Sequence, residues 1–145
     1  MSSVNLVTLT GPQPTSIIVS FGLTTSQSAG SIVQGQISAF GPLVPASPSI
    51  FIPITEVWQV TDIYVVGGPV AADGQPLFVV NGYPQVVTPT LSQLNLNLLT
   101  RFRLTQSIPL APASSLAVSL SLLATPSTNA TQILYMKIMR APFTG

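Results

Sequence analysis

Short apolar runs recur along this chain, most of them alternating with polar residues and most of them closed by proline or glycine. Alternation with a period of two predicts half-buried β-strands, and fourteen prolines with ten glycines supply the turns between them. Residues 1–14 are largely polar, end in Gly11-Pro12-Gln13-Pro14, and are expected to form an N-terminal arm. Residues 15–145 are expected to form one domain. A first strand is predicted over 15–22 and a second over 31–40, where Val33, Gly35, Ile37 and Ala39 alternate with more polar neighbours. Residues 41–48 carry three prolines and are expected to be a loop. Residues 50–54 contain Pro53 and read as an edge strand or a lead-in.

The strand predicted over 57–66 has Trp58, Val60, Asp62, Tyr64 and Val66 on one face, and that face is expected to be the core side. Gly67-Gly68-Pro69 ends it, and Asp73-Gly74 makes a turn. Asn81-Gly82 stands between two apolar runs over 77–87. It supplies the two positive-φ positions of a type I′ turn, so a tight hairpin is expected, with Pro84 marking an exposed edge. Over 94–106 the pattern fits a strand that includes at least 99–106, with a short helix at 91–98 as the alternative. In 115–123, Leu116, Val118, Leu120 and Leu122 are expected to point inward. A last strand covers 132–139. Eight or nine strands must bury one face each, which requires two sheets face to face or a closed barrel. The expected fold is all-β: a two-sheet antiparallel sandwich, a single jelly roll of about eight strands.

Charge changes this picture. Of 145 residues only seven are formally charged: Glu56, Asp62, Asp73, Arg101, Arg103, Lys137 and Arg140. That is 5% of the chain, against about 25% in ordinary soluble domains. The hydrophobic fraction is ordinary, so Ser, Thr, Gln, Asn and Pro replace the usual Lys and Glu. Soluble monomers rely on mixed surface charge to resist association, and interface cores are depleted of it. The sequence therefore predicts a surface covered by neighbouring copies. A low-charge monomer kept soluble by hydroxyls and amides is the competing expectation. Neither histidine nor cysteine is present, so no side chain has an ordinary pKa between about 5 and 8. Met1-Ser2-Ser3-Val4-Asn5 shows no basic n-region, so Sec-type export is not expected.

Two segments carry a resemblance. In Ile52-Pro53-Ile54-Thr55-Glu56-Val57-Trp58-Gln59-Val60-Thr61-Asp62-Ile63-Tyr64 and in Ile108-Pro109-Leu110-Ala111-Pro112-Ala113-Ser114-Ser115-Leu116-Ala117-Val118, a proline-marked turn leads into a core strand. Together with the Asn81-Gly82 hairpin and the low charge, residues 30–140 resemble single jelly-roll capsid proteins, particularly the shell proteins of archaeal viruses. The resemblance implies a virion subunit that self-assembles in the host cytoplasm, contacts other virion proteins, and reaches a neighbour with its N-terminal arm. It carries over no catalytic residue.

The candidate chemistry is sparse. Catalysis is not expected: histidine, the most frequent general acid–base group, is missing, and so is every triad built on it. Glu56 and Asp62, six residues apart, are expected to share a strand face about 20 Å apart, too far to cooperate. Three scattered carboxylates do not suggest a metal cage, and no cofactor motif is present. Arg101 and Arg103 project from one face of a predicted strand and are the candidate contact for an anion: nucleic acid, a lipid headgroup of an inner membrane, or a neighbour's carboxylate. A solvated face that resists edge pairing is the alternative. Asn129-Ala130-Thr131 forms a glycosylation sequon and marks an exposed loop. Besides the capsid subunit, two functions remain open: a filament subunit joined by donor-strand addition, and a carbohydrate-binding sandwich.

Overall fold

The computed structural model describes residues 11–39, 47–65, 72–86, 90–91 and 102–143. Ten strands form two antiparallel sheets. Sheet A contains β1 (Gln13–Leu23), β3 (Gln36–Ala39), β5 (Glu56–Tyr64), β8 (Phe102–Leu110) and β10 (Ala130–Pro142), in the order β3-β1-β10-β5-β8. Sheet B contains β2 (Ile32–Gln34), β4 (Ile50–Phe51), β6 (Gly74–Val80), β7 (Tyr83–Val86) and β9 (Ser115–Leu122), in the order β2-β9-β6-β7, with β4 also on β9.

This order is a jelly roll. β6 pairs with β7, β5 with β8, β2 and β4 with β9, and β1 with β10, as one long nested hairpin. Rolling that hairpin up adds the pairs β10·β5 and β9·β6, which close two sheets around a common core. β2 and β4 share the second of the eight places, and β3 is an extra edge on β1. At the tip of the hairpin Asn81 and Gly82 have φ of 52° and 84°, as the Asn-Gly pair predicts for a type I′ turn. β7 with Pro84 lies at the sheet edge, also as expected.

The inward faces follow the alternation. Ile17, Val19, Phe21 and Leu23 of β1 face Leu134, Met136 and Ile138 of β10, and all are buried. Leu116, Val118, Leu120 and Leu122 of β9 are buried from the other side, together with Phe78 of β6 and Trp58 of β5. Each such side chain contributes roughly 1.5–3 kcal/mol by leaving water.

Three expectations are corrected. The strand over 31–40 is two strands in different sheets, because the chain crosses the sandwich at Gly35. A Cβ there would stand 2.5 Å from Val19 Cγ1 and 2.6 Å from the Val118 carbonyl, so only glycine fits where the backbone passes between the layers. The face of β5 is not continuous. Val60 pairs with Ile138 and Asp62 with Lys137, leaving Thr61 as an unpaired bulge. The bulge flips the phase, so Ile63 is buried while Asp62 and Tyr64 turn outward, against the predicted core face. Finally, β1 begins at Gln13, two residues before the expected domain start. The arm expected before it, the 41–48 loop and the helix alternative at 91–98 lie wholly or mostly outside the described residues.

Candidate assembly surfaces

The charged residues sort by sheet. Among the described residues every formal charge carried by a strand belongs to sheet A: Glu56 and Asp62 on β5, Arg103 on β8, Lys137 and Arg140 on β10. The strands of sheet B contain none.

Two of the sheet A charges are turned inward. Arg140 pairs across the ladder with Trp58, and Glu56 lies two residues from Trp58 on the same inner face. The Arg140 guanidinium forks onto the carboxylate, Nε to Oε1 at 2.8 Å and a second amino nitrogen to Oε2 at 2.9 Å. The Trp58 indole N–H donates to Glu56 Oε1 at 2.8 Å, and Arg140 Cζ lies 5.7 Å from the indole centroid. The side chains of Arg140 and Glu56 keep only 16% and 10% of their surface exposed. The Arg140 fork holds the Glu56 carboxyl below its ordinary 4.5, with the Trp58 N–H acting the same way and burial opposing both. A paired, hydrogen-bonded ion of this kind closes the end of the core without leaving a net charge.

Sequence reasoning placed Glu56 and Asp62 on one face. The Thr61 bulge instead separates them, Glu56 inward and Asp62 outward. It also missed Arg140. The signal for Arg140 is its phase: it lies two residues beyond Ile138, in step with Leu134, Met136 and Ile138, all of them core.

The remaining strand charges of sheet A fall in one register row, with Ser16, Lys137, Asp62 and Arg103 on successive strands and Lys137 and Asp62 on the outer face. Next to it Tyr64 and Tyr135 stack with centroids 5.1 Å apart, and Ile18 pairs with Tyr135. Of the two candidate anion contacts, Arg101 and the Arg103 side chain lie outside the described residues; Arg103 is placed by its backbone, opposite Asp62 on the edge strand β8.

The outer face of sheet B is built differently. Ser115, Ala117, Ser119 and Ser121 run down the central strand β9. They are flanked by Gln75, Leu77 and Val79 of β6 and by Ile32, Gln34 and Phe51 of β2 and β4. Ser119 is buried although it points outward, because Leu77 and Gln34 stand on either side of it. The result is a shallow uncharged trough of small residues between mixed walls, apolar at Leu77, Val79, Ile32 and Phe51 and amide at Gln75 and Gln34.

At one end of the sandwich the turn 52–55, the hairpin tip and the turn 111–114 converge. Ile52 N–H bonds Ser114 O, Ala113 N–H bonds Ile52 O, and Ser115 N–H bonds Asn81 Oδ1. The start of β1 and the end of β10 reach the same end, where Phe143 N–H bonds Thr55 O. The opposite end is polar: Thr25 N–H bonds Oδ1 of Asn129, the exposed asparagine of the sequon.

Among the described residues no group of three or more His, Cys, Asp or Glu side chains gathers as a metal site. Compared with known protein families and with curated proteins, the chain matches none.

Proposed function

We propose that this chain is a non-enzymatic structural subunit that assembles with copies of itself into the shell of a virion. The observation that carries the reading is the outer face of sheet B on a closed jelly roll, where no described strand residue is charged. Desolvating such a face costs no ion its water, so apolar area and hydroxyl hydrogen bonds decide the contact. Jelly rolls recur in viral shells, though also in lectins and cupins, so the fold supports the reading only together with the surface. The charged row on sheet A then faces whatever the shell encloses or adjoins, and Arg101 and Arg103 contact its anions. Other virion proteins and the host cytoplasm, where assembly occurs, complete this reading. A filament joined by donor-strand addition fits less well, since that mechanism needs a vacant strand place and all eight places of the roll are occupied.

Sedimentation velocity and electron microscopy of the purified protein test it. The expected result is closed shells, or rings and plates on the way to them, formed equally in low salt and at about 1 M salt, because neutral contacts are not screened. A monomer that persists at millimolar concentration would rule the proposal out.

A further inference from the structure

Seven large apolar side chains are exposed among the described residues: Ile18, Ile32, Phe51, Ile54, Tyr83, Leu123 and Phe143. Single exposed apolar residues need no explanation, but a gathered set marks a contact. Four of the seven gather at the end where the turns 52–55 and 111–114 meet the hairpin tip. Phe51 is 73% exposed, Ile54 75%, Tyr83 76% and Phe143 44%. The backbone brings them together. Phe51 pairs with Ser115, whose other neighbour is Asn81 at the hairpin tip, next to Tyr83. Phe143 is bonded to Thr55, the residue after Ile54.

We infer that this end is the surface on which a second copy of the chain docks. The inference rests on the shell reading above and assigns its contact. Two arguments select a second copy. The first is charge. Glu56 and Arg140, the charges nearest this end, neutralise each other in a two-pronged pair. A charged partner would find nothing here to complement it and would lose water for no return. A chain with 5% charged residues is itself the matching neutral partner. The second is area. An aromatic side chain buries about 150–250 Å², so at their exposures these four hold on the order of 500 Å² in the open. That is most of the roughly 800 Å² per partner in a standard interface. Aromatic anchors at a charge-poor centre are also the composition of interface hot spots.

The absence of cysteine in the chain makes the test clean, since each introduced thiol is unique. Ile54→Cys is expected to give covalent dimers on mild oxidation or with a short bis-maleimide, whereas Leu123→Cys, at the opposite end, gives none. The triple variant Phe51→Lys, Ile54→Lys, Phe143→Lys is expected to weaken association at least a hundredfold by sedimentation. Circular dichroism checks that it remains folded, and Leu123→Lys, at the opposite end and outside the sheet B trough, serves as the matched control. If the parent chain assembles while the triple variant assembles equally well and the thiol at 54 stays unlinked, the docking end is wrong and the shell reading survives. If the parent is a monomer throughout, the shell reading itself fails. Stronger self-association on removal of residues 1–10 would show that the chain's own N-terminal segment covers this end, and would also overturn the inference.

Discussion

On sheet A, Lys137, Asp62 and Arg103 share one register row; on sheet B the comparable central positions are Ser119, Ala117, Leu77 and Val79. Both sheets bury apolar inner faces, that of sheet A interrupted by the Glu56–Arg140 pair. The difference is therefore not about making a core. Sheet A spends its ions twice: inward, where Glu56 and Arg140 lock strands β5 and β10 around Trp58, and outward, where the row stands beside the edge strand β8. Sheet B dispenses with ions altogether. A low average charge thus conceals an uneven one. The two faces meet different surroundings on the shell reading, and the contrast can be attacked from either side.

The largest effect is expected at the closed end of sheet A. Trp58→Ala removes the largest fully buried side chain together with the ring beneath Arg140, and should cost about 3–5 kcal/mol, read as a fall in denaturation midpoint. A loss below about 1 kcal/mol would mean that the indole is not the anchor described. Next comes sheet B. Ala117→Glu sets a carboxylate in the middle of the neutral trough, and should weaken assembly by roughly a hundredfold, about 2.7 kcal/mol, with the monomer fold intact by circular dichroism. Unchanged shells would remove sheet B from the assembly.

Gly35→Ala tests the crossing between the sheets. Its Cβ would meet Val19 and the Val118 carbonyl below 3 Å, so a destabilisation of about 1–3 kcal/mol is expected, measured by urea titration. Glu56→Gln keeps the shape of the clamp but removes its charge, and should cost about 1–2 kcal/mol near neutral pH. The pH dependence follows from the sign of the shift. The folded Glu56 carboxyl lies below its ordinary 4.5, so its contribution is complete above that value and is lost as pH falls through the folded value. The melting temperature should be level between about pH 5 and 8 and decline below about 4.5, and Glu56→Gln should soften that acid limb. An equally steep limb in the variant would place the acid sensitivity on another carboxylate. The smallest effect belongs to the outer row of sheet A: Lys137→Gln should change stability by less than about 0.5 kcal/mol and leave assembly unaltered.

Much of this architecture is written in local patterns. The Asn81-Gly82 hairpin needs only two residues, since few others tolerate consecutive positive φ. β9 is legible because Leu116, Val118, Leu120 and Leu122 never break step. The eight-place roll follows from counting such segments and from the need to cover each sheet. What escaped the sequence is non-local. Thr61 looks like any other strand residue, and its bulge arises only because β5 must match β10 on one side and β8 on the other. Gly35 sits in an unbroken alternating run, and nothing nearby announces that Val118 and Val19 crowd it. The fork between Arg140 and Glu56 joins residues 84 positions apart in the sequence, so only their shared phase with core positions hinted at it. The gathering of Phe51, Ile54, Tyr83 and Phe143 at one end escaped for the same reason, since three turns and β10 assemble it.

The nesting of the strands has a consequence for how the molecule comes into being. β6 and β7 are neighbours in the chain and can join as soon as both exist, whereas β1 waits for β10, far along the sequence. Until then the oily side of β1, with Ile17, Val19 and Phe21, has only the short edge strand β3 beside it. Contacts this distant in sequence form slowly, and exposed strand edges invite wrong partners in the interval. Crowded synthesis of many copies should therefore favour exchange of first strands between nascent chains, so the speed of translation influences whether this protein matures or clumps.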